Sequence, residues 1–259
     1  MRYPIRKSLL VTCLALACMA FTTSTISPNV QNKVTTVQSH ISASPAASVV
    51  LPAPAPMPAA VTNAGQELYN DLDLAGHGMK EDVLESALKG FDKLSAEGKI
   101  ANTEKLTIAD FSQPSDQKRL YVIDLNKRQL IFQSLVSHGR GTGTLWAKSF
   151  SNSPSSYKSS PGFYVTEETY TGHNGYSLRL NGLERGINDN ARNRAIVVHG
   201  APYVSESAIH SLGFLGRSQG CPALPVSLHK SIINAIKNGT CFFIYTPDES
   251  YLNHSALIE

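Results

Sequence analysis

The chain is expected to be mostly β, of the α+β class, with one late helix and a small helical segment ahead of the strands. Three observations predict this. From residue 105 onward, apolar segments of strand length follow one another between turns rich in Gly, Asn and Ser. One helical apolar spacing stands at residues 64–100, ahead of the strands, and a second at 228–238.

In chain order, the opening MRYPIRKSLLVTCLALACMAF has a basic start, an apolar run from Leu9 to Phe21, and small residues at Ala15 and Ala17. That run is shorter than the roughly 20 residues a membrane-spanning helix needs, so residues 1–26 read as a secretory signal. Ala15-Leu16-Ala17-Cys18 fits an ordinary cleavage site, or a poor lipidation site that would leave Cys18 as an anchored N-terminus. Membrane contact is therefore expected only through the signal or a lipid on Cys18. Taking Arg2, Arg6 and Lys7 away with the signal leaves 20 of 23 basic residues, equal to the 20 acidic ones. So balanced a chain has no electrostatic footprint for nucleic acid. Residues 27–62, ending in LPAPAPMPAA, form an extended spacer without a core.

Val83, Leu84, Ala87, Leu88, Phe91 and Leu94 recur at helical steps, with Gly90 a weak point and Gly98 a stop. Gly76-His77-Gly78 separates them from a shorter turn around Leu68 and Leu72, and His77 reads as a loop histidine. Residues 63–104 thus preface a domain at 105–247, with 248–259 as a tail. LTIADF (106–111), RLYVIDL (119–125) and QLIFQSLVSH (129–138) are strands, the last two joined by the Asn126-Lys127-Arg128 turn. Residues 139–160 are polar, rich in Gly and Ser, and carry the one tryptophan. A loop this long inside a domain is usually functional. It is either a lid with Trp146 as its apolar contact, or a surface loop with Trp146 tucked into the core. GFYVTEETY, YSLRLNGLE and AIVVHG are further strands, LHKSIINAIKN is the late helix, and TCFFIYTP is a buried closing strand.

With Cys13 and Cys18 in the signal, Cys221 and Cys241 belong to the folded part. In an oxidising compartment they permit one bridge. Cys221, in GRSQGCPALP, also has the surroundings of a nucleophile, which needs a lowered pKa, a base and oxyanion donors. Pro225 marks the start of the following helix, whose positive end would favour the thiolate. Gly220 permits close backbone approach, so the Gly220 and Cys221 amides are candidate oxyanion donors. His199 ends the strand AIVV before Gly200 and is the candidate base. Alone, His199 would read as a strand-end histidine and Cys221 as a small buried residue; flanked by glycines, together they read as a catalytic pair. His138, in SHGR, copies the setting of His199 and ranks second. His210, in a surface turn, ranks third, and His173 is a turn residue. Cys241, in CFFIY, reads as buried and inert. No metal-ligand spacing and no phosphate-cradling glycine motif occurs, so neither metal nor cofactor is expected.

HGAPY followed by GRSQGCPAL resembles the L,D-transpeptidase catalytic domain of bacterial cell-wall enzymes, whose signature is His-Gly followed by Ser-X-Gly-Cys. SSPGFYV (159–165) is similar to that family's Thr-Pro-X-Gly opening of a strand. Ser-His-Gly-Arg (137–140), Ser-Leu-Arg-Leu (177–180), Gly-Ile-Asn (186–188) and Gly-Cys-Pro-Ala (220–223) resemble its murein L,D-transpeptidase branch. The resemblance spans residues 105–247 and implies an L,D-transpeptidase-like β-sandwich or barrel.

It also implies a chemistry acting on peptidoglycan stem peptides in the periplasm or cell envelope. Cys221 would attack the carbonyl of the third stem residue and release the terminal D-alanine, and the acyl group would pass to an amine of another stem. His199 would manage the proton, Gly220 the oxyanion, and Ser218 would orient His199 or the loop. Arg217, His138, Gly200 and Arg179 would contact substrate. Two departures bear on anchoring: many relatives carry histidine and arginine where this chain has Gln219 and Ala223, and the 22-residue step from His199 to Cys221 is longer than the common spacing. Arg217 is the nearest cation to replace the missing arginine. Arg179, Asn181, Arg185 and Asn188 suit peptide carboxylates, but each reads equally as an ordinary surface side chain or a turn-capping group. Two other readings stay open: an L,D-carboxypeptidase or cysteine amidase using water as acceptor, and a non-catalytic wall-binding module held by a Cys221–Cys241 bridge.

Overall fold

The computed structural model describes residues 59–259, with side chains from residue 64. The signal, Cys18 and the spacer as far as residue 58 lie outside the described residues. Helix α1 (Ala59–Asp71) begins within the stretch whose composition marks it as spacer, and α2 (Glu81–Ala96) follows. Glu81 and Asp82 in the first turn and Lys93 in the last complement the dipole of α2. Its inner face buries Val83, Leu84, Phe91 and Leu94, each contributing about 1.5–3 kcal/mol. Gly90 breaks the helical pattern for a packing reason: a methyl there would overlap the Phe163 ring.

Strands β1 (Lys105–Asp110), β2 (Leu120–Asp124), β3 (Gln129–Ser134), β4 (Gly162–Gly172), β5 (Gly175–Gly182), β6 (Val197–Gly200), β7 (Ala223–Leu224) and β8 (Cys241–Tyr245) form one sheet. Its order is β3-β2-β1-β8-β4-β5-β6-β7. The last strand is central, parallel to β1 and antiparallel to β4. CFFIY is apolar throughout because both faces of β8 are covered. Cys241, Phe243 and Tyr245 join the cluster under α1 and α2, while Phe242 and Ile244 join the cluster that holds Ile232, Ile233 and Ile236 of helix α4 (His229–Ile236). Phe163 stacks on Phe243 with centroids 4.0 Å apart, which fixes α2 over the β4–β8 pair.

The sheet then nearly closes on itself. Residues 135–139 continue from β3 and run beside β7 and the cysteine turn. The Ser137 amide donates to Ala223 O at 2.9 Å, and the Ser218 amide to His138 O at 3.0 Å. Closure satisfies backbone groups that an open edge would expose, and of the two expected arrangements it gives the barrel-like one.

The structure adds two short helices. Helix α3 (Glu206–Leu212) carries His210, which is therefore on a helix capped by Ser205 Oγ and not in a turn. Helix α5 (Glu249–Leu252) makes residues 248–259 more than a tail, because its buried Tyr251 donates to Glu184. Helix α4 starts four residues beyond Pro225, which heads a turn instead. Cys221 and Cys241 are both free thiols. They pack into clusters on opposite faces of the sheet, so the bridge reading is corrected: the sheet itself separates the two sulfurs.

Candidate active site

Strands β6 and β7 run parallel, with His199 opposite Ala223 and Gly200 opposite Leu224. Two residues before that pair stand Val197 on one strand and Cys221 on the approach to the other. Nδ1 of the buried His199 lies 3.0 Å from the Gly200 carbonyl. A carbonyl can only accept, so Nδ1 carries the proton and Nε2 keeps its lone pair. Burial holds the imidazole below its ordinary pKa; the Gly200 bond opposes this, and neighbouring His229 lowers it further. His199 is therefore neutral at pH 7, the state that accepts a proton. Gly200, expected among the substrate contacts, fixes the His199 ring through its carbonyl. It is glycine for lack of room: a Cβ would lie 2.6 Å from Cγ of the His229 ring.

The half-buried Cys221 thiol donates to Ala195 O at 3.7 Å, and no hydrogen bond joins it to His199. Burial raises its pKa, while the Val197 amide and the Arg194 charge draw it down. A raised thiol beside a lowered imidazole makes the resting state thiol plus neutral imidazole, with no preformed ion pair. The cation near the sulfur is Arg194, not the end of α4, because β7 and the Pro225 turn intervene.

Ser218 shapes the cysteine turn. Its Oγ donates to Cys221 O at 2.7 Å and accepts the Gly220 amide at 3.0 Å, which engages it away from His199. The same bond corrects the oxyanion assignment, since the Gly220 N–H is occupied. Gly220 has φ 128°, which explains the glycine. Among the described residues the Cys221 amide has no partner and remains a free donor.

Burial corrects the substrate contact expected from His138, while Arg179 is a partly exposed side chain in a surface ion pair. His138 is fully buried, edge-on to Phe111, with Nδ1 2.8 Å from Arg119 Nη2. Burial, then the Arg119 charge, pushes it down to about 3, so it can neither touch substrate nor serve as base. Its contribution is the backbone carbonyl that holds Ser218. Arg179 pairs with Glu168 at 2.9 Å and lies over the Tyr170 ring. Arg217 donates through Nη1 to Gly143 O at 3.0 Å, which ties the 139–160 loop to the cysteine turn. Asn188 is buried and donates to Pro161 O and Phe163 O, a structural role. Trp146 is 45% exposed, so it is not tucked into the core. The loop around it is bonded throughout, as in Gly141 N–H to Tyr157 O at 2.8 Å.

A family model described as L,D-transpeptidase catalytic domain matches residues 75–245. The chain belongs to this family. Among solved structures, it is similar to an L,D-transpeptidase from Mycobacterium smegmatis at 13% identity, covering 55% of this chain and 59% of that one, with a TM-score of 0.35. An L,D-transpeptidase from Stackebrandtia nassauensis matches at 17% identity, covering 64% and 67%, with a TM-score of 0.34. One from Mycobacterium tuberculosis H37Rv matches at 18% identity, covering 55% and 58%, with a TM-score of 0.33. The chain thus spans about three fifths of the length of the first of these structures. No curated protein matches.

Within this L,D-transpeptidase domain, two residues escaped the sequence reading. Arg194 sits beside the cysteine turn, and His229 packs over Gly200. A signal for Arg194 was its place five residues before His199, on the approach to the same strand. His229 carries no such signal, because it opens a helix whose pattern is set by its isoleucines. Among the described residues, no group of three His, Cys, Asp or Glu could hold a metal, and no helix is long and apolar enough to cross a membrane.

Proposed function

We propose that the protein is an exported peptidoglycan L,D-transpeptidase working through a Cys221 acyl-enzyme. The observation that carries this reading is His199: neutral, with Nδ1 fixed by Gly200 and Nε2 left free, on the strand next to the free thiol of Cys221.

In the proposed first step, Cys221 Sγ gives its proton to His199 Nε2 and bonds to the carbonyl carbon of the third stem residue. The Cys221 amide donates to the oxyanion. Collapse breaks the C–N bond to the terminal D-alanine, whose amine leaves with the His199 proton. In the second step an amine of another stem loses a proton to Nε2 and attacks the thioester. A C–N bond forms, the C–S bond breaks, and the proton returns to sulfur. Because the thiol donates to Ala195 O at rest, the first step requires it to give up that bond.

The test is incubation of the protein with a defined disaccharide-tetrapeptide, followed by mass spectrometry. A crosslinked dimer with released D-alanine is the expected product. Tripeptide alone would replace transfer by hydrolysis, and unchanged substrate would contradict the proposal.

A further inference from the structure

Arg194 makes more bonds than any role in surface solvation explains. Nη1 donates to Ser151 O at 2.7 Å and Ser160 Oγ at 2.6 Å, and Nη2 donates to Lys158 O at 2.6 Å and Ser156 Oγ at 3.2 Å. One planar fork therefore gathers both ends of the 151–160 segment. That segment is fastened in turn to the cysteine turn. Ser159 Oγ donates to Gly220 O at 3.0 Å and accepts the Gly139 amide at 3.0 Å. A Cβ on Gly220 would lie 2.8 Å from Lys158 O and 3.4 Å from Arg194 Nη2, so guanidinium, loop and turn are in near contact. The thiol rests on the carbonyl of Ala195, the residue next to Arg194.

Charge sets Arg194 apart from its neighbours. Arg192 pairs with Glu167 and Glu168, and Arg179 with Glu168. Among the described residues Arg194 forms no ion pair with any carboxylate, and its four acceptors are neutral oxygens. Such oxygens hold a guanidinium in place while leaving its field uncancelled.

We infer that Arg194 is a positioning residue, which binds the 151–160 segment against the Gly220–Cys221 turn and holds an uncancelled positive charge beside the nucleophile. The inference deepens the Cys221 reading and rests on it. Burial works against the thiolate, and beside the Val197 amide the fixed cation helps keep that form within reach.

The test uses the full chain and a readout that needs no stem chemistry: alkylation of Cys221 by iodoacetamide at pH 7.5, followed by peptide mass mapping, with hydrogen exchange over 151–160 measured in parallel. Removing a cation raises a thiol pKa, and each unit lowers the thiolate fraction tenfold. Arg194→Gln should slow alkylation about 3–10-fold. Arg194→Lys, which keeps the charge but not the fork, should stay within about twofold while exchange over 151–160 rises. Unchanged or faster alkylation in Arg194→Gln would overturn the inference, as would equal slowing in both variants. If Arg194→Gln does not fold, Arg194→Lys decides alone: retained alkylation with a loosened loop supports the assignment, and lost alkylation refutes it. Failure of the crosslinking reaction with these results intact would remove the proposed substrate, not the role of Arg194.

Discussion

Gly200→Ala isolates the packing that orients the base. The new methyl would lie 2.6 Å from His229 Cγ and 2.7 Å from His229 Nδ1, while φ at this position needs no glycine. Chain entropy alone would favour alanine by about 0.4–1 kcal/mol, whereas overpacking costs about 1–3 kcal/mol. Overpacking wins, for a net loss of about 1–2 kcal/mol. In a domain of this size that lowers the melting temperature by about 2–8 °C. Because the Gly200 carbonyl holds His199 Nδ1, any shift of this peptide also turns the base, so acylation by a carbapenem should slow out of proportion to the lost stability. Calorimetry and the rate of mass gain at Cys221 measure the two effects. In the double variant Gly200→Ala/His229→Ala the clash disappears, and the two substitutions should be markedly non-additive. A Gly200→Ala protein that melts at or above the wild type and acylates normally would refute the reasoning.

Other outcomes follow from the same geometry. His199 is held below its ordinary 6.5, so the acid limb of the acylation rate should inflect below pH 6.5; an inflection above it would contradict a buried, neutral base. Glu184 accepts from Ser255, Tyr251 and the Phe163 amide, yet burial raises its pKa above 4.5. A raised folded-state value means stability present at low pH and lost as pH rises. The melting temperature of the wild type relative to Glu184→Gln should therefore fall from about pH 4.5 to 7, and a constant gap would argue against it. Trp146→Ala should change stability by less than about 0.5 kcal/mol, and acrylamide should quench the native tryptophan readily; strong protection would place that ring elsewhere.

Much of the fold is visible in residue patterns, because period and turn chemistry are local. The Asn126-Lys127-Arg128 turn, with Arg128 at φ 51°, and the doubly covered CFFIY strand can be read without neighbours. Barrel closure cannot, since it depends on Ser137 and His138 finding β7 and Ser218 some eighty residues on. Glycine-flanked motifs point to Cys221 and His199, which the structure sets on the adjoining β7 approach and β6, yet the roles around them shift with backbone detail. Ser218 turns to the cysteine loop, Gly220 spends its amide, and Gly200 works through its carbonyl. His138 stands in a setting like that of His199 but lies in the interior, because sequence does not show which strand end meets solvent. Arg194 was illegible for a different reason: its partners are carbonyls and serines of a loop, which leave no charge pattern to match.

The proposed chemistry requires Cys221 to be the nucleophile. Acid quenching of the protein during turnover of disaccharide-tetrapeptide, followed by peptide mapping, should find a tripeptidyl mass on the peptide containing Cys221 and none in Cys221→Ala. An acyl mass on another residue, or crosslinked product from Cys221→Ala, would contradict it.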